Sequence, residues 1–179
     1  MSQFLKWAQR EHPFRARIMA TLPAGVIFVI VLPYLLLVAC PSADRRLGLD
    51  ALTPGIASIL VGGILMAIGF FFGFWSILLQ LTQGRGTPLP MMPTQGLLTN
   101  GPFRFCRNPM TFGTVSTYLG MAIAAATPVG VALVFFLASL LLVYLKRVEE
   151  KELAERFGQP YLDYMQKVPF LLPRWPTSN

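Results

Sequence analysis

Charge is missing from three long stretches of the chain, and apolar residues fill them. Lys, Arg, Asp and Glu are absent from Ile18 to Cys40, from Ala51 to Gly84 and from Asn108 to Leu145. A helix rising about 1.5 Å per residue needs roughly 20 apolar residues to cross a hydrocarbon layer about 30 Å thick. The first stretch fits one crossing. The second fits one tilted helix, expected over Pro54 to Leu81, followed by an interfacial loop. The third is about twice the minimum length and is interrupted near its middle by Thr127-Pro128, where proline favours a turn between two helices. The pattern predicts an all-α integral membrane protein with about four transmembrane helices and a charged C-terminal helical segment beyond the last of them.

Composition agrees, because 179 residues that are 54% hydrophobic and 13% charged carry more apolar surface than a soluble domain of this size can bury. No linker, repeat or low-complexity tract divides the chain, so 1–179 reads as a single domain, with residues 1–17 as an amphipathic interfacial lead-in carrying Phe4, Leu5, Trp7 and Phe14 among basic residues. Lys and Arg beside membrane spans sort to the cytoplasm. Lys6, Arg10, Arg15 and Arg17, then Arg85, Arg104 and Arg107, then the six basic residues from Lys146 to Arg174 all fall on one side, and Arg45 and Arg46 alone fall on the other. Both termini are therefore expected in the cytoplasm, in a multi-pass protein of a bacterial-type inner membrane. The net charge of +7 reads as attraction to anionic lipid headgroups, and nothing calls for nucleic acid. One histidine, His12, and two cysteines placed at opposite membrane faces, Cys40 and Cys106, cannot assemble a metal site or a disulfide.

Gly62-Gly63, Gly69 and Gly73 in the second apolar stretch are spaced to let another helix approach closely, most simply within the monomer. The following segment, Gln83-Gly84-Arg85-Gly86-Thr87-Pro88-Leu89-Pro90, is too rich in glycine and proline for a regular helix. Asn108-Pro109 is a good helix start, with the asparagine side chain expected to accept a backbone N–H and proline at the first helical position. Arg104 and Arg107 stand beside that helix mouth among aromatic residues, a place suited to a carboxylate or phosphate and equally to lipid headgroups. Past the fourth apolar helix, Lys146 and Glu150 are spaced to pair, and Glu149 and Glu150 approach the arginines if the last two helices form a tight hairpin.

Taken together, these elements resemble the isoprenylcysteine carboxyl methyltransferase family and its phospholipid methyltransferase relatives. The resemblance covers residues 83–175. It rests on Gly84-Arg85-Gly86-Thr87-Pro88, on Gly101-Pro102-Phe103-Arg104 leading to Arg107-Asn108-Pro109-Met110 and Gly113, on Glu149-Glu150 with Leu153, and on Phe157-Gly158, Tyr161 and Tyr164 before Val168-Pro169. It implies an S-adenosylmethionine-dependent methyltransferase, with S-adenosylhomocysteine as product and the donor pocket at the cytoplasmic end of the last two helices. The C-terminal segment would close that pocket, and a lipophilic or prenylated substrate would enter from the bilayer. The donor contacts implied are Asn108, Pro109, Met110, Gly113, Glu149, Glu150, Phe157, Tyr161 and Tyr164. Arg104, Arg107 and Glu150 are the catalytic candidates, the arginines to orient an anionic acceptor. Asn108 stands where many members carry histidine, and Phe170-Leu171 follows Val168-Pro169 where a basic residue is common.

A carboxylate acceptor needs no base, whereas an amine or thiol must lose a proton, for which Glu149, Glu150, Tyr161 and Tyr164 are candidates. The alternatives are a phospholipid N-methyltransferase, a small-thiol methyltransferase, a nicotinamide-dependent membrane reductase and a non-enzymatic membrane protein.

Overall fold

The computed structural model describes Met19 and residues 22–49, 54–84 and 94–175, and all regular structure among them is helical. The lead-in with His12, and the segment from Arg85 through Pro90, lie outside the described residues. Helix α1 runs Leu22–Arg46, α2 Ile56–Thr82, α3 Pro109–Ala124, α4 Pro128–Phe157 and α5 Gln159–Lys167. Helices α1, α2 and α4 are long and apolar enough to cross a membrane. The stretch expected as the third of four spans forms α3, whose 16 residues extend about 24 Å, short of a full hydrocarbon layer.

Proline explains an irregularity in α1. Its backbone widens into π turns at Ile27–Val31 and Leu35–Ala39, which close with Leu32 N–H on the Ile27 carbonyl and Cys40 N–H on the Leu35 carbonyl. Each closes one residue before a proline, Pro33 or Pro41. A proline has no N–H to donate and its ring crowds the carbonyl four residues back, so the ladder slips to a longer ring instead of breaking.

Helices α2 and α3 run antiparallel with their backbones almost in contact. A Cβ built on Gly62 would sit 2.4 Å from the Gly120 carbonyl oxygen, and one on Gly113 would sit 2.4 Å from the Gly73 nitrogen. Gly69 faces Gly113 and Thr117 in the same way. The expected close approach is thus made within the monomer, with Gly113 and Gly120 as the partner surface.

At one end of the α3–α4 hairpin the turn falls at Thr127-Pro128, as expected, with the Thr127 hydroxyl accepting from Gly130 N–H at 3.1 Å. Asp44, only 4% exposed, reaches this turn from α1. Its carboxylate accepts the Thr127 O–H and, at 3.0 Å, the Val129 N–H. Leu36, Cys40, Ala122 and Val134 pack beneath it and join α1 to the hairpin. Both cysteines are free and buried.

At the other end the chain leaves α4 through Gly158, whose φ of +60° and ψ of −138° suit glycine alone, and turns into α5. The tail then runs back beside the start of α3. Arg107 N–H donates to the Pro169 carbonyl at 2.8 Å, Asn108 N–H to the Phe170 carbonyl at 3.2 Å, and Arg174 N–H to the Phe105 carbonyl at 2.9 Å.

Candidate functional site

Where α4 leaves its apolar run, it makes a π turn over Leu145–Glu149, closed by Glu150 N–H on the Leu145 carbonyl. No proline causes this one. In a regular helix successive side chains point about 100° apart, which would send one of two adjacent glutamates away from any common site. Here both Glu149 and Glu150 line a cleft with about 80 Å3 of enclosed volume, together with Gln80, Asn108, Tyr161 and Tyr164. Its apolar wall includes Leu97, Leu98, Leu153 and Phe157, and Arg107 closes one side.

Glu150 is 7% exposed, and each of its oxygens is occupied. Oε1 pairs with Arg107 Nη1, and Oε2 with Lys146 Nζ at 3.0 Å, the pair expected from their spacing. Arg107 also donates Nε–H to the Val168 carbonyl at 3.1 Å. The Phe170 ring lies between two cations, 5.0 Å from Lys146 Nζ and 5.5 Å from the Arg107 guanidinium. An aromatic face is therefore what this tail supplies where a basic residue was anticipated. Arg107, Glu150 and Phe170 together latch the tail to α4 and to the start of α3.

Glu149 differs from its neighbour. It is half-buried in the cleft wall and forms no hydrogen bond or ion pair among the described residues. Tyr164 donates its hydroxyl to the Phe103 carbonyl at 2.5 Å. Burial raises the Tyr164 pKa, and it raises that of Tyr161 too, reinforced by the Glu150 charge and opposed by Arg107. Both tyrosines are therefore neutral at physiological pH; Tyr164 acts as a donor, Tyr161 takes a hydrogen bond from Arg107, and neither is a base. Burial likewise pushes the Cys106 thiol up to about 12, which makes it inert.

The structure brings Arg107, Asn108, Glu149, Glu150, Phe157, Tyr161 and Tyr164 together around the cleft. Pro109, Met110 and Gly113 lie outside its lining, and Gly113 is turned to Gly73 of α2. Arg104 is exposed, with its guanidinium 4.9 Å from the Phe105 ring centroid. The role expected of the Asn108 side chain needs correction. It makes no capping bond to α3, and its Nδ2 donates instead to the Phe170 carbonyl at 3.0 Å, because the returning tail brings that carbonyl beside Asn108, where it accepts the backbone N–H as well.

Sequence reasoning missed Gln80, Thr94, Leu97 and Leu98. Gln80 Oε1 is fully buried and has no hydrogen-bond partner among the described residues. The signal was present, since a primary amide in the last turn of an apolar span is costly unless it has a use. The segment after α2 is held over the cleft by Arg156, which donates to the Thr94 carbonyl, and by Gln95 N–H on the Gly84 carbonyl at 2.7 Å.

The sequence profile of phospholipid methyltransferases matches residues 57–160, from the first turn of α2 to the first turn of α5. The chain belongs to the phospholipid methyltransferase family. It is a membrane methyltransferase, and the likeness that its motifs bear to isoprenylcysteine carboxyl methyltransferases and their phospholipid-modifying relatives is confirmed at the level of the family. The matched region holds the cleft residues from Gln80 to Phe157, whereas Tyr161, Tyr164 and Phe170 of the tail lie beyond it. No curated protein and no solved structure matches the chain.

Proposed function

We propose that the cleft binds S-adenosylmethionine and that the enzyme methylates the amine of a phospholipid headgroup. One observation carries the choice of acceptor: the cleft presents a free carboxylate, Glu149, while its arginine is already committed to Glu150 and the tail. A prenylcysteine carboxylate would meet repulsion from Glu149 and find no unengaged guanidinium in the lining, so it fits less well than an amine. Exposed Arg104, just outside the cleft, is placed for the lipid phosphate.

The lining suits a nucleoside sulfonium in kind. Phe157 and Tyr161 offer aromatic faces to a base or a cation, and Glu149 and Gln80 offer acceptors to N–H groups or ribose hydroxyls. The donor brings an already activated methyl group, so the protein must align acceptor and donor and keep water out, which is worth roughly 7 to 11 kcal/mol. Glu149 takes the proton that the headgroup amine loses as its nitrogen forms the new bond. Glu150 cannot do so while both its oxygens are paired, and the neutral tyrosines are too weakly basic. The Arg107–Glu150–Phe170 latch keeps the tail closed over the site. In this reading α3 is a fourth membrane-embedded helix despite its length, carried by its seam with α2, and both termini face the cytoplasm.

The test is transfer of labelled methyl from the donor to vesicles containing phosphatidylethanolamine. Label should appear on the lipid amine and fall about 10²- to 10⁴-fold in Glu149→Gln. Label recovered instead as the base-labile methyl ester of a prenylated cysteine overturns the assignment.

A further inference from the structure

Gln80 is the clearest unexplained group among the described residues. Among the described residues its Oε1, buried in the wall of the cleft, has no partner, although buried carbonyl oxygens in folded proteins almost always have one. The site itself shows what surrounds it. A Cβ on Gly84 would meet Thr94 Cγ2 at 2.8 Å, the Gln80 backbone oxygen at 2.9 Å and Leu98 Cδ1 at 3.1 Å, so Gln80 sits where the end of α2 meets the returning segment. That side of the cleft is apolar, with Leu97 and Leu98 facing a common space with Leu153 and Phe157. Apolar surfaces with one primary amide at their edge suit a flat heteroaromatic ring. The amide of glutamine accepts from an exocyclic amine and donates to the adjacent ring nitrogen, a pairing that adenine satisfies through its 6-amino group.

We infer that Gln80 recognises the adenine of the methyl donor, accepting a hydrogen bond from its 6-amino group while Leu97, Leu98 and Phe157 enclose the ring. This rests on the donor-site reading above and adds to it a residue of α2, which the notion of a site made only by the last two helices leaves out. An unsatisfied buried acceptor destabilises the empty protein, and the ligand relieves that cost when it binds. Gln80 therefore trades stability of the free enzyme for selectivity toward an amino-bearing purine.

The same amide can also accept from the amine of a lipid headgroup, and the experiment separates the two. Calorimetric titration of the full-length protein in lipid nanodiscs uses S-adenosylhomocysteine and S-inosylhomocysteine, which carries a 6-oxo group in place of the amine. The wild type should prefer the adenosyl compound by about tenfold or more. Gln80→Leu should lose that preference, bind S-adenosylhomocysteine about tenfold more weakly, and melt, without ligand, no lower than the wild type. Gln80→Glu, which keeps the acceptor, should retain the preference. If Gln80→Leu keeps full affinity and preference, or only raises KM for the lipid amine, the inference is wrong while the donor site stands. If the wild type binds neither nucleoside, the donor-site reading fails with it.

Discussion

The two ends of the α3–α4 hairpin both bury carboxylates, and they use them differently. At the α1 end Asp44 has both oxygens satisfied, by the Thr127 hydroxyl and the Val129 N–H. At the other end Glu150 is equally well satisfied, yet among the described residues Glu149 beside it makes no hydrogen bond or ion pair and Gln80 Oε1, in the same cleft lining, has no partner. A buried polar group with all its bonds made holds helices together. One without them, as at Gln80 Oε1, is a cost that folding alone does not explain and that a ligand would offset in the proposed function. In the proposed function this contrast separates residues that build the fold from residues that act, and it divides a Glu-Glu pair between the two roles.

Substitutions can break that division. Glu149→Gln should have the largest effect on function, a loss of about 10²- to 10⁴-fold in methyl transfer with a melting temperature no lower than the wild type, because it removes no bond in the free protein and takes away a carboxylate whose charge burial, Glu152 and Glu150 disfavour. Glu150→Ala should have the largest effect on stability, about 3 to 5 kcal/mol, since it leaves Arg107 buried without its partner. It should also free the tail, which limited proteolysis after Phe157 would read as faster cleavage. Asp44→Ala should cost about 1 to 3 kcal/mol by stranding the Thr127 hydroxyl and the Val129 N–H. Affinity for S-adenosylhomocysteine should stay unchanged in Asp44→Ala, and a tenfold loss there would erase the distinction between the two ends.

The smallest effect concerns Cys106, which is 0% exposed beneath the tail. Its folded pKa of about 12 lies above its ordinary value of 9.0. Its contribution to stability is therefore complete below pH 9 and is lost as pH rises from 9 toward 12. Thermal melts should show that slope, and Cys106→Ala should flatten it. Alkylation of Cys106 at pH 8 should be slow in the wild type and faster in Glu150→Ala, where the latch is open.

Much of this was legible in the sequence. Uncharged runs located α1, α2 and the α3–α4 hairpin, Thr127-Pro128 placed the turn to the residue, and the spacing of Gly62, Gly69 and Gly73 announced a seam. The ordered motifs from Asn108 to Tyr164 gathered most of one site. Other features depended on information that no local pattern carries. The π turn at Leu145–Glu149, which puts adjacent glutamates on one cleft, has no proline to announce it. Arg107 looked free to orient an anion because its partners lie 43 and 61 positions away. Asn108 read as a helix cap because the acceptor that diverts it, the Phe170 carbonyl, arrives only when the tail folds back. Gln80 sat inside an apolar run whose hydrophobicity drew attention to the membrane and away from the one amide near its end.

The central claim is that the cleft beside the π turn of α4 is the methyl-donor site. A density map of the protein in lipid nanodiscs with S-adenosylhomocysteine tests it most directly. The account predicts the nucleoside in the cleft between Gln80 and Glu149, with its ring against Leu97, Leu98 and Phe157 and the Arg107–Glu150 pair intact. Ligand density elsewhere in the helical bundle, or a cleft that stays empty at saturating ligand, contradicts it.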